Sequence, residues 1–245
     1  MYGTTIHVDV GYCLTEPGAG FAFPVPHTVA STRTRPLGAR AVQNCPAVNL
    51  LERQLIALPC PIALRMRLST EGAKLGMTID PKGTAAKPEW LRRFLWIEPQ
   101  ARWRDPRRPV LRLRLPWFLV TDEPCRATMT PPFLDRGPRR WPGVGVAGRW
   151  PARDWPAAID WALEWDDPKG ELVLRQGDPL AYVFFEFDHP DKRPRLVEAE
   201  PTAALADYRA GMDGVHHITD DIPDLWARAA SRRPERLLVP VGEGA

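Results

Sequence analysis

Residues 169–187 read KGELVLRQGDPLAYVFFEF, two apolar runs split by a Gln-Gly-Asp-Pro break. Residues 171–175 have the length and alternation of a short strand. Gly177-Asp178-Pro179 is turn chemistry, because glycine reaches positive φ freely and proline fixes φ. Residues 180–187 then carry apolar side chains at successive positions, the pattern of a strand buried on both faces. A chain with such a central strand is built on packed sheets.

The neighbouring segment, residues 158–165 (AIDWALEW), supports this reading. Period two places Ile159, Trp161, Leu163 and Trp165 on one face and Asp160 and Glu164 on the other, whereas helical spacing would scatter the tryptophans. The turn residues DDPKG at 166–170 then predict a hairpin between 158–165 and 171–175, so that 158–187 forms a three-stranded meander. Further upstream, Ile62, Leu64, Met66 and Leu68 alternate with Arg65 and Arg67, and Leu111, Leu113 and Leu115 with Arg112 and Arg114. Short strands are also predicted at 77–79, 94–97 and 117–121, with Pro116 interrupting the pattern between 111–115 and 117–121. Residues 16–40 and 131–156, rich in Pro and Gly, read as loops, and a loop as long as the second covers or binds something. Pro46 opens a helical turn at the start of an apolar segment, 48–58. Residues 188–201 read as a polar linker. Two helices follow, 202–212 and 220–231, the second with Thr219 as N-cap and Pro234 as its stop. The expected fold is mainly β, an antiparallel two-layer sandwich of jelly-roll type with two C-terminal helices. The expected domains are a β-sandwich over 1–190 and a helical appendage over 191–245 packed on it.

Composition sets bounds on function. Of 245 residues, 44% are apolar and 26% charged, an ordinary globular balance, while 28 prolines and 18 glycines favour many short elements over a helical bundle. No apolar run approaches the roughly 20 residues that span a bilayer. The N-terminal MYGTTIHVDVGY lacks the basic region and apolar stretch of a secretory signal, so a cytoplasmic protein with no membrane partner is expected. Cys13, Cys45, Cys60 and Cys125 form no CxxC pair, which argues against a structural zinc site and for packing roles. The net charge of +3 is unevenly spread: residues 90–154 hold fourteen arginines and six acids, residues 155–224 sixteen acids and six bases. Two such regions can pair within the molecule, between subunits or with a partner.

Candidate chemistry is sparse. A jelly-roll metalloenzyme would gather histidines and acids around an ion; His189, His216 and His217 are the residues to inspect, and no metal or other cofactor is expected. Whether the chain is an enzyme stays open at this level. None of the three serines sits in a GxSxG elbow, and Cys45 before a proline is a conceivable nucleophile but more simply a packing residue. Gly143-Val144-Gly145-Val146-Ala147-Gly148 matches GxGxxG, yet a Pro-rich stretch precedes it and Arg149-Trp150-Pro151 follows, so it reads as a loop and not a nucleotide fingerprint. The strongest binding feature is the basic, tryptophan-rich middle: Arg102, Trp103, Arg112, Arg114 and Trp117, joined by Trp141 and Trp150 in the long loop. Arginine neutralises phosphate and indole rings stack on bases, which would suit single-stranded nucleic acid. The favoured alternative is that arginine stems lie over tryptophan faces on a partly exposed sheet and pair with the acidic later region.

Five short landmarks, Asn44-Cys45-Pro46-Ala47, Leu58-Pro59 with Pro61-Ile62, Leu115-Pro116-Trp117-Phe118, Met129-Thr130-Pro131-Pro132 and Gly177-Asp178-Pro179-Leu180, occur in an order that resembles a set of uncharacterised proteins of tailed-phage and marine alphaproteobacterial genomes. The likeness spans residues 44–187. It implies a phage or prophage origin, with virion association if so, and transfers no established activity. Three readings are carried forward: a non-catalytic binding or assembly protein that meets a protein partner or its own copy, a cupin-like metal-dependent enzyme, and a single-stranded nucleic-acid binder.

Overall fold

The computed structural model describes residues 4–15, 22–32, 44–71, 74–84, 86–134, 141–212 and 221–242. It is mainly β. The strands are β1 (Ile6–Leu14), β2 (His27–Thr28), β3 (Leu55–Pro59), β4 (Leu64–Glu71), β5 (Lys74–Ile79), β6 (Leu95–Ile97) and β7 (Val110–Val120), then β8 (Cys125–Thr130), β9 (Gly143–Gly145), β10 (Gly148–Pro151), β11 (Ala158–Trp165), β12 (Leu172–Leu174), β13 (Pro179–Phe187) and β14 (Lys192–Glu198). The helices are α1 (Val29–Thr32), α2 (Pro46–Glu52), α3 (Pro88–Phe94), α4 (Ala203–Ala210) and α5 (Ile222–Arg232).

The strands fall into three sheets. The largest runs β14-β1-β7-β11-β9, with β6 also paired to β7; the second runs β10-β8-β13-β3-β2; the third runs β12-β4-β5. Every described ladder is antiparallel except β1–β14, which pair in parallel from Ile6↔Lys192 to Tyr12↔Glu198. One core joins all three sheets: Leu111, Leu113, Leu115 and Trp117 of β7 and Trp161, Leu163 and Trp165 of β11 meet Ile56 and Leu58 of β3, Leu64 and Met66 of β4, Leu172 and Leu174 of β12 and Val183 and Phe185 of β13. The expected burial of β13 on both faces is observed, and β11 has the bounds and inward face that period two implies.

Several expectations are corrected. Residues 158–187 are not a meander: β11 pairs with β7 and β9, β12 with β4, and β13 with β3 and β8, so three consecutive strands enter three sheets. The turn at 166–170 is a corner instead of a hairpin loop; the N–H groups of Asp166 and Asp167 donate to Pro142 O, and the Trp165 indole donates to Asp167 O. Pro116 does not end its strand: it lies where the β7–β11 register shifts between Ala158↔Phe118 and Asp160↔Arg114, and its carbonyl still accepts from Thr15 N–H at 2.8 Å. The polar linker expected at 188–201 is largely β14, so the expected boundary at 190/191 falls in the turn entering that strand. The segment 48–58 divides into the end of α2 and the start of β3. Within 131–156, residues 143–151 are strand-rich, forming β9 and β10. The α5 N-cap is Asp221, whose carboxylate accepts from Asp224 N; Thr219 lies outside the described residues.

The turn between β12 and β13 forms as its residues require. Gly177 has φ of +88°, and Asp178 N–H donates to Arg175 O, the arrangement of a tight turn with glycine at its third position. The turn is clasped to Cys60 through Gly177 N–H to Cys60 O and Cys60 N–H to Asp178 O. The outer face of the second half of β7 is covered by the C-terminal region: Phe118 and Val120 pack with Leu205 of α4 and with Leu237 and Leu238. In the first half of β7 the outward residues are Arg112 and Arg114.

Candidate functional site

On the outer face of β7, strand alternation lifts Arg112 and Arg114 away from the core side chains Leu111, Leu113 and Leu115. Asp160 of β11 stands opposite Arg114, and its carboxylate accepts from Arg114 Nε at 3.0 Å and from Arg112 Nη1 at 3.4 Å. On the other side, Trp96 of β6 is opposite Arg112, and the Arg114 guanidinium lies 5.5 Å from the Trp96 ring centroid. Glu98, just after β6, is held by its N–H to Val110 O and reaches Arg112 Nε at 2.8 Å. A 3₁₀ turn at Gln100–Arg102 then brings the next basic residues back over the same face. Arg102 lies 3.7 Å from Glu98, and the Trp103 indole donates to Glu98 O at 2.7 Å. Arg104 and Arg108 both pair with Glu164 of β11, and Arg107 and Arg108 with Asp105. The hydrogen bond from the Arg107 guanidinium holds the Asp105 carboxyl down at about 2.

These contacts define what the layer can do. Glu98 and Glu164 are only 6% and 4% exposed, so their charges require the arginines that cover them. A phosphate chain would have to displace carboxylates already in place. The site residues expected from sequence separate accordingly. Arg102, Trp103, Arg112 and Arg114 come together here. Trp117 does not: it is 1% exposed and belongs to the core, so its assignment as a binding residue is corrected. Trp141 is half-buried and packs edge-on against Trp161, with centroids 5.2 Å apart. Trp150 lies half-buried in a groove of about 420 Å³ that it shares with Trp155 and Trp226 and that Arg112 and Asp160 also line.

Among the described residues the histidine and cysteine candidates are dispersed. His189 Nδ1 accepts from Asp191 N–H in the turn before β14, and His216 and His217 lie outside the described residues. Two HxD spacings do occur, His7-Val8-Asp9 and His189-Pro190-Asp191, but Asp9 is engaged by both Arg195 Nε and Nη2. Among the described residues no three His, Cys, Asp or Glu side chains converge as an ion would need. Cys13 and Cys60 are buried, and burial, reinforced by Glu123 and Asp154, pushes the Cys125 thiol up to about 12. Cys45 is exposed before α2 and makes no side-chain cap bond. At Gly143 a Cβ would run into the Glu164 carbonyl oxygen of β11, and no helix follows, so the GxGxxG spacing has a packing cause. Glu186 of β13 pairs with Arg149 at 2.8 Å.

Two further features escaped sequence reasoning. An exposed apolar edge is formed by Val144 and Val146 around β9, with Pro131 in contact range of Gly145. A cleft of about 770 Å³ opens between the β1–β14 edge and α1–α2. Among the described residues no helix is long and apolar enough to cross a membrane. No family model, curated protein or solved structure matches the chain.

Proposed function

We propose that this chain is a non-catalytic assembly protein, a cytoplasmic β-sandwich of jelly-roll type that pairs with a second copy of itself through the β9 edge. The observation that carries this reading is the contrast between the two ends of the largest sheet. The β14 edge carries Lys192, Arg193, Pro194 and Arg195, the charges and proline that block edge-to-edge pairing. The β9 edge carries Gly-Val-Gly followed by Val146, with Val144 58% exposed. Val146 N–H donates inward to Ala162 O, so alternation turns the backbone groups of Gly143 and Gly145 outward, where a second antiparallel β9 could take them up.

The Arg/Trp face supports the same reading, since its charges are answered within the molecule and it acts as scaffold for β11, the strand that holds β9. The landmark resemblance supports a phage or prophage origin, with virion association in that case. Size-exclusion chromatography with light scattering tests the proposal. At micromolar concentration the native chain should show twice the single-chain mass, and Val144→Lys with Val146→Lys should show one. A native chain that is strictly monomeric overturns it.

A further inference from the structure

The cleft beside α2 gathers several charged side chains on one surface. It is bounded by α1 and α2 on one side and by the first residues of β1 and β14 on the other, remote in sequence and in sheet position from the β9 edge. Two of its guanidiniums lack an acidic partner among the described residues. Arg53, at the C-terminal end of α2, makes no side-chain hydrogen bond there. Arg193 of β14 is fixed by its own chain, Nη1 donating to Lys192 O at 2.7 Å and to Pro190 O, carbonyls that orient the group without cancelling its charge. Arg195 also lines the cleft but is answered by Asp9, and Asp191 is the acid on the wall, 4.0 Å from His189. His7 and the Asn49 amide add further donors, while Leu50 and Leu196 supply apolar wall. At about 770 Å³ the cleft has the volume of a small-molecule site.

We infer that this cleft binds a small phosphate monoester, its phosphate held by Arg53 and Arg193 and its apolar body against Leu50 and Leu196. Two guanidiniums match the charge and the fork geometry of a phosphate dianion, and the apolar wall rewards an organic body over the bare ion. Calorimetric titration of the full chain with phenyl phosphate at low salt tests this, with inorganic phosphate and phenol as the other arms. Phenyl phosphate should bind, inorganic phosphate more weakly and phenol not measurably, and raised salt should weaken the first two. Arg53→Gln should lower phenyl phosphate affinity about tenfold, as loss of one charge-assisted contact does. Its side chain supports no described contact, so this variant should melt as the native chain does; Arg193→Gln provides the second variant. Absence of binding at millimolar phenyl phosphate, or unchanged affinity in Arg53→Gln, overturns the inference. Chain mass does not enter either readout, so failure here leaves the β9 proposal standing, and the reverse.

Discussion

Asp122, in the turn between β7 and β8, accepts hydrogen bonds from Arg233 Nη2 at 2.6 Å and from the backbone N–H groups of Leu237 and Leu238. The Arg233 side chain is 0% exposed and also donates to the carbonyls of Thr121 and Arg153. One guanidinium thus ties the chain after α5 to the outer face of the largest sheet. Arg233→Ala leaves these acceptors buried without it and should cost about 3 to 5 kcal/mol in urea unfolding. Arg107→Ala, at an exposed pair, should leave the urea midpoint nearly unchanged in the same assay. Tyr208 serves the same region, its hydroxyl shared between Asp154 O and Ala229 O. Burial, then the Asp154 charge, pushes its pKa up to about 12 from 10.0, so the folded state keeps the proton more tightly. That contribution is complete below pH 10 and is lost as pH rises toward 12. Urea midpoints across this window should fall less steeply in Tyr208→Phe than in the native chain. Cys125, also raised to about 12, should resist iodoacetamide at pH 8 while Cys45 is labelled; equal rates would contradict its burial.

At the scale of elements, β11 shows what a sequence can reveal. Its four inward residues and two outward acids follow period two, and its ends match the alternation. Trp161→Ala should therefore cost about 3 to 5 kcal/mol, since the ring is buried against Trp141. A double-mutant cycle on Arg114 and Asp160 should give a coupling of roughly 0.5 to 1 kcal/mol, the range of a cross-strand ion pair. Strand partners were less legible. The residues at 166–170 encode a reversal of the chain but carry no information on which strand receives it, so the expected hairpin became a corner between sheets. Likewise β14 was concealed because its Lys, Arg and Pro are the marks of a protected edge, which local composition cannot tell from a linker. Pro116 misled for a related reason: its tolerance depends on a register shift in the partner strand.

For the whole molecule, the charge asymmetry along the chain was informative. The basic middle and the acidic later region meet at Arg112 and Arg114 with Asp160, and at Arg104 and Arg108 with Glu164. What the charge pattern left hidden was burial, which takes Trp117 into the core and keeps Glu98 and Glu164 beneath their arginines. Arg53 and Arg193 could not be linked from sequence, because only the fold brings α2 beside β14. A face neutralised in this way should show little affinity for single-stranded DNA even at low salt, and tight, salt-sensitive binding would reverse that view of the Arg/Trp layer. Assembly through the open β9 edge is the central claim, and the mass of the native chain in solution tests it most directly. Light scattering should report twice the single-chain mass, reduced to one chain by Val144→Lys with Val146→Lys; a native chain that stays monomeric at micromolar concentration would contradict it.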